Sequence, residues 1–381
     1  MQHAGIYLHI PFCRSRCSYC DFATQLYANG IVDDFVAALV AEINAWHPPH
    51  DTGRRIFADT IYFGGGTPSL LDAGQTARIL DAVAARFDIA PDAEITMEMN
   101  PGTVTPSVLR SFRALGVNRA SFGAQTFDDH ELRRLGRSHT AEDARRTLHD
   151  LRDAGFDNIS LDLIAGLPAQ TPAAWESNLD EALALRPDHL SLYLLEIHEG
   201  TPLAEHVKRG LQKPISEDSA AEMYETMVER VGAIGYRQYE ISNFALPHCE
   251  SRHNTKYWTG APVYGFGSSA HSYDGEGTRW ANERDAANYI KSIRATNQAV
   301  VERTPLTPRE LSAETIFLGL RLLRGVDLGA YRARFGSDPR ATYGPDLDRL
   351  RDAGLIELND DTLRLTPAGA LLSNEVFAVF V

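Results

Sequence analysis

Three cysteines stand within eight residues near the start of the chain, as Cys13-Arg14-Ser15-Arg16-Cys17-Ser18-Tyr19-Cys20. Only Cys249 joins them in the rest of the 381 residues. Thiolates at C-x₃-C-x₂-C spacing can hold three irons of a [4Fe–4S] cube and leave the fourth open to a small molecule, whereas structural clusters usually take four cysteines. A disulfide framework would need an even set spread through a short secreted chain. A structural zinc would need four ligands, usually as two separated pairs. His9 lies close by, but inside an alternating, strand-like run. The spacing favours the open cube.

A second motif, Gly64-Gly65-Gly66-Thr67-Pro68, directly follows an expected strand. Glycines let a ligand approach the backbone and expose N–H groups. No Gly-Lys-Ser/Thr follows, so this is not a P-loop. One βα unit after the cysteine loop, it suits the amino and carboxylate groups of an amino-acid-like ligand beside the open iron.

The elements that must position these groups alternate. Strands are expected at Gly5–Ile10, Asp59–Phe63, Glu94–Met99, Asn118–Phe122, Asn158–Ile164 and His189–Leu195. Helices are expected at Asp33–Trp46, Gly74–Phe87, Pro106–Leu115, Ala141–Ala154 and Ala173–Leu185. Repeated βα units imply a parallel sheet, and six of them an open, partial (β/α)6 barrel. In such barrels the chemistry sits at the C-terminal ends of the strands. Here those ends carry the cysteine loop, the triple glycine, Glu98 with Asn100, Gln125, and Asp162. Residues 1–235 therefore read as the barrel. Residues 236–303 read as an irregular connecting segment, and 304–381 as a smaller α+β, winged-helix-like domain. In that last unit Pro308–Leu323 and Asp346–Ala353 are helical, and Leu355–Thr366 is a hairpin turning at Asp360-Asp361.

The bulk properties limit the partners. A net charge of −14 opposes nonspecific binding to nucleic acid or anionic membrane, and the winged-helix-like region offers no basic cluster to follow phosphates. No apolar run approaches the length of a membrane span, and the N-terminus lacks signal-peptide features. A reducing cytoplasm is the expected compartment.

Tyr7-Leu8-His9-Ile10-Pro11-Phe12-Cys13, Gly64–Pro68, Ser121-Phe122-Gly123-Ala124-Gln125 and Asp162-Leu163-Ile164-Ala165-Gly166-Leu167-Pro168 occur in order. Together they resemble the radical S-adenosylmethionine proteins of the oxygen-independent coproporphyrinogen III oxidase group, over nearly the whole chain. The resemblance implies a [4Fe–4S] cluster on Cys13, Cys17 and Cys20, with S-adenosylmethionine chelating the fourth iron. It further implies cofactor contacts from Tyr7, Tyr19, Gly65, Gly66, Thr67, Glu98, Gln125, Arg137 and Asp162, with Glu98 facing the ammonium or sulfonium and Asp162 the ribose. It assigns no catalytic residue.

Two departures point away from the alternative activity, oxidative decarboxylation of coproporphyrinogen III. Phe22 stands where the oxidase has an additional cysteine, and only six residues precede Tyr7. His253-Asn254-Thr255-Lys256-Tyr257-Trp258 instead resembles the H-N-x-x-Y-W hallmark of the group's heme-chaperone branch. That implies a heme ligand in His253, and Tyr257 and Trp258 against the macrocycle. Cys249, after His248, reads as a buried thiol or an alternative heme ligand. The expected function is to bind heme and pass it to apo heme proteins of the respiratory chain, with bacterioferritin as a candidate donor. Homodimerisation and peripheral membrane contact stay open.

Overall fold

The computed structural model describes residues 3–49 and 53–380. Six parallel strands, Ala4–Ile10, Phe57–Gly65, Asp88–Met99, Arg119–Gln125, Ile159–Ala165 and His189–Leu194, follow one another in space as in sequence. The helices between them start where local chemistry dictates. Asp72 caps Ala73–Arg86 by accepting from the Gln75 amide at 2.7 Å, and the Asp72 amide donates in return to Gln75 Oε1 at 3.0 Å. Thr105-Pro106 and Thr171-Pro172 place a side-chain acceptor before a proline whose missing N–H costs nothing in the first turn.

Strand alternation divides the residues between two faces. Ile6, Leu8, Ile61, Phe63, Met97, Phe122, Leu161 and Leu163 pack in the apolar core with the helices. The opposite set is mostly polar or aromatic: Tyr7 and Tyr62 are in register, as are Glu98 and Ser121, and Asp162 and Ser191. The barrel lumen is therefore built of polar side chains.

Residues 236–303, read from the sequence as irregular, belong to the same sheet. Val263–Phe266 runs parallel to the first strand on its outer side, and His271–Tyr273, Thr278–Asn282 and Val300–Pro305 extend that edge antiparallel. Asn243–Ala245 and Arg237–Glu240 add to the far edge. These strands are three to six residues long, too short to show a period in sequence. Buried Glu42 fastens the addition to the barrel, accepting from Tyr289 Oη and Asn282 Nδ2, both at 2.6 Å, and from the Gly267 amide at 2.8 Å.

The C-terminal unit carries the expected helix, Pro308–Arg321, and the expected hairpin, Ile356–Leu358 with Thr362–Leu365. A short strand, Val326–Asp327, makes its sheet three-stranded. It is tied to the barrel's edge by main-chain bonds from Ile241 to Arg321 and from Leu323 to Tyr239.

Candidate cluster and nucleotide site

The cysteine loop leaves the first strand and is held by backbone. Short parallel strands Phe12–Cys13 and Gln25–Leu26 close it at its base. The Ser18 amide donates to Leu135 O at 2.8 Å, and Ser18 O accepts from the Leu203 amide at 2.8 Å. Cys13, Cys17 and Cys20 are free thiols, half-buried, and all three line one cavity of about 630 Å³. Among the described residues no three His, Cys, Asp or Glu groups converge on one point, as a mononuclear metal would need. A cube, with irons at separate corners, asks for thiols spread around it.

Gly65 and Gly66 seat the loop. Gly65 holds φ +111°, a conformation that suits glycine. A Cβ on Gly66 would lie 2.7 Å from Phe12 O. The turn's amides are not open to a ligand: Gly65 donates to Glu98 Oε2 at 3.1 Å, Gly66 to Ile10 O and Thr67 to Phe12 O, both at 2.8 Å. This differs from the sequence reading of exposed N–H groups. The turn instead presses backbone against the cysteine loop and presents Thr67, whose hydroxyl donates to Cys13 Sγ at 3.6 Å.

Arg137 is the site's organising cation. It donates to Cys17 Sγ at 3.6 Å, to Asn100 Oδ1 at 2.7 Å and to Gly123 O at 2.7 Å. Asn100 in turn donates to Thr67 Oγ1 at 2.6 Å. One chain of bonds thus joins Cys13, Thr67, Asn100, Arg137 and Cys17. Asn100 was visible in sequence only as a polar strand end; its role as the bridge came from the structure. Gln125 lines the cavity with φ +68°, and Tyr19 packs beside Leu135, Ile164 and Leu167.

Glu98 and Asp162 both line this cavity. Burial pushes Glu98 up to about 7; the Tyr62 hydroxyl, donating at 2.7 Å, pulls it back, and Asp162 pushes it further. Burial likewise raises Asp162 to about 6, relieved in part by Ser191. Burial also raises the Cys13 thiol, and Cys20 to about 11. Two buried acids without a bonded cation are chemically suited to a cationic ligand. Three thiols beside a guanidinium suit an anionic metal–sulfur centre. The residues present fit both groups.

Tyr7 stands deeper, its ring stacked 6.2 Å from Tyr62 and its hydroxyl 3.2 Å from His9 Nδ1. The other His9 nitrogen meets Ala23 O at 3.0 Å, so His9 braces the loop. Cys249 is not among the residues lining the cavity.

The H-N-x-x-Y-W residues do not share a face. His253 is buried, with Nδ1 2.9 Å from Thr60 Oγ1 and Nε2 3.1 Å from Tyr257 Oη. Its ring stacks on Tyr62 at 5.0 Å, and burial, then Lys256, lowers its pKa to about 3. Neither ring nitrogen is open to iron in this conformation, against the expectation of a direct heme ligand. The Glu94 carboxylate accepts from the amides of Arg252 and His253, each at 3.0 Å, anchoring the helix Arg252–Thr259 at its first turn. Trp258 lies under the Arg321 guanidinium, 4.2 Å from its ring centre, and lines the cysteine cavity.

A cysteine loop, a pressed glycine turn and buried acids at one mouth of a partial parallel barrel define a radical S-adenosylmethionine-type fold and site. Residues 7–182 match the Radical SAM superfamily and residues 306–372 the HemN C-terminal domain. The chain is 36% identical over 376 residues to heme chaperone HemW of Bacillus subtilis, covering 98% of each. It is 35% identical over 375 residues to heme chaperone HemW of Lactococcus lactis, covering 98% of this chain and 96% of that one. Mitochondrial radical S-adenosyl methionine domain-containing protein 1 of Bos taurus is 34% identical, covering 97% of this chain and 85% of that one. Coproporphyrinogen III oxidase (HemN) from Escherichia coli shares the fold at a TM-score of 0.85 and 24% identity, covering all of this chain and 90% of that one. The chain belongs to the HemW family of radical S-adenosylmethionine proteins. Among the described residues no helix is long and apolar enough to cross a membrane.

Proposed function

We propose that the protein is a heme chaperone that carries a [4Fe–4S] cluster on Cys13, Cys17 and Cys20, with S-adenosylmethionine at the open iron. The carrying observation is the near full-length likeness to heme chaperones, with three free thiols, Arg137 and two buried acids gathered on one cavity. The cluster, when bound, supplies an iron with an open coordination position. The chain's own residues do the rest. Thr67 donates to the Cys13 sulfur and Arg137 to the Cys17 sulfur, which orients both toward the cavity they line. Glu98 and Asp162 offer negative charge to an ammonium or sulfonium. Tyr19, Gly65, Gly66 and Gln125 shape the walls, and Tyr7 stands behind them, stacked on Tyr62. Apo heme proteins of the respiratory chain are the acceptors on this reading, and the compartment is the cytoplasm.

Phe22 bears on the alternative oxidase. Its ring is 66% exposed at the cavity's edge, an apolar side chain where the resemblance places the oxidase's additional cysteine. The test uses anaerobically reconstituted protein. Heme titration followed by Soret absorbance, then transfer to an apo heme protein, is expected to succeed. Coproporphyrinogen offered with reductant and S-adenosylmethionine is expected to stay unconverted. Turnover to protoporphyrinogen without heme uptake would replace this reading with the oxidase.

A further inference from the structure

A second cavity, of about 890 Å³, opens beside His3, which precedes the first strand, and Asp59, near the start of the second. These are the N-terminal ends of the barrel strands, away from the cysteines. One wall is the outer side of the helix Arg252–Thr259, through Arg252, Thr255 and Lys256. The motif that reads as heme-binding in sequence thus keeps His253 in the core and turns its neighbours to this groove. The C-terminal unit contributes Leu322, Leu323 and Arg324, and the far edge of the sheet Arg237 and Tyr239.

The charge here runs against the rest of the molecule. The chain carries a net −14, yet the groove sets Arg237, Arg252, Lys256 and Arg324 against only Asp59 and Glu250. Asp59 is already shared by Lys256 at 2.6 Å and Arg252 at 3.2 Å. The side chains of Arg237 and Arg324 form no ion pair or hydrogen bond among the described residues. Unpaired arginines on a concave wall suit carboxylates, which a guanidinium binds in a bidentate fork. Leu323 and Tyr239, both part-exposed, supply apolar surface between them, while Leu322 and Ala261 are buried.

His248 lines the same groove. It is exposed, its ring has no hydrogen-bond or ion-pair partner among the described residues, and its backbone is left-handed at φ +71°. A non-glycine residue held there is uncommon, and such residues gather at ligand sites. His253 has both nitrogens engaged; His248 has both free.

We propose that this groove is the heme site, with His248 as axial ligand and Arg237 and Arg324 receiving the propionates. The inference rests on the heme-chaperone reading and adds to it where heme sits and which residues hold it. A neutral imidazole nitrogen gives its lone pair to the iron; the propionates stay ionised, and no covalent bond is broken. The helix Arg252–Thr259 is then the wall between heme and the barrel, and His253 is its anchor. The two cargo-related chemistries occupy opposite ends of the barrel.

The test is hemin titration of the full-length reconstituted protein, followed by Soret absorbance and electron paramagnetic resonance. His248→Asn removes the imidazole but tolerates the left-handed backbone, so it keeps the turn. It is expected to weaken hemin binding about tenfold or more and to abolish the histidine-ligation signature. Arg237→Gln with Arg324→Gln is expected to weaken hemin and iron-free protoporphyrin IX alike, leaving the ligation signature in place. Cluster absorbance in each variant reports the fold. If wild-type protein binds hemin and both variants match it in affinity and spectrum, the groove is not the site, while the chaperone reading stands. If only the arginine pair matters, the groove holds and the His248 assignment falls. No hemin binding by wild type overturns the chaperone reading, and this inference with it.

Discussion

The two ends of the barrel treat conspicuous residues in opposite ways. At the cysteine mouth the motif side chains remain available: Cys13, Cys17 and Cys20 are half-exposed and free, and main-chain bonds through Cys13, Cys17, Ser18 and Cys20 hold the loop. At the other end the motif histidine is spent: His253 is buried, stacked and bonded at both nitrogens. The contrast separates side chains held open by a scaffold from side chains that are the scaffold. A sequence motif marks both kinds equally.

The largest test of this contrast is Cys17→Ser. It is expected to bring iron and sulfide, measured after anaerobic reconstitution, down to background, because three thiolates are the minimum set for the cube. Retained cluster would remove the cysteine mouth from the comparison. Next is His253→Ala, which leaves a cavity and unpaired Thr60 and Tyr257 hydroxyls. Urea unfolding is expected to register a loss of about 2–4 kcal/mol, with hemin binding by the folded fraction preserved. Hemin binding lost at unchanged stability would make His253 a ligand after all.

Arg137→Ala has a smaller expected effect. Cluster retention and S-adenosylmethionine affinity should each fall roughly tenfold, as when an outer-shell partner of a metal site is removed. Lysine should rescue only part of this, since the Asn100, Gly123 and Cys17 contacts use the guanidinium fork.

The smallest effect is a pH dependence. Glu98 is raised to about 7 and Asp162 to about 6, both by burial first. In the cofactor-free protein, raised carboxyl pKa values mean stability that is full below the ordinary carboxylate range and lost as pH climbs through 6 and 7. Binding a cationic ligand has the opposite sign, because it needs the ionised forms. Equilibrium dialysis of S-adenosylmethionine should therefore show affinity falling as pH drops below about 7, and Glu98→Gln should remove that upper step. A flat profile in wild-type protein would take Glu98 out of the ligand's reach.

Much of the barrel was legible because it depends on short-range pattern. The six strands and the helices between them follow from periodicity and caps, and the second strand differs from expectation by two residues at each end. The seventh parallel strand, Val263–Phe266, was not legible: four residues carry no period, and its place beside the first strand is a long-range pairing. Arg137 shows the same limit within the site. The family resemblance named it as a cofactor contact, while its own neighbours, Arg133 and Arg134, suggest a surface arginine; only the fold shows its guanidinium on Cys17 and Asn100.

The sequence by itself determined the cysteine spacing, the glycine turn and the barrel, because thiol spacing, glycine runs and hydrophobic period act over a few residues and survive any packing. Tertiary structure alone decided which polar residues remain free. It closed both nitrogens of His253 between Thr60 and Tyr257, spent the amides of the glycine turn on Glu98, Ile10 and Phe12, and left the side chains of Arg237, Arg324 and His248 without partners among the described residues on one groove. Whether a polar group is satisfied depends on neighbours distant in sequence, and burial makes that pairing obligatory.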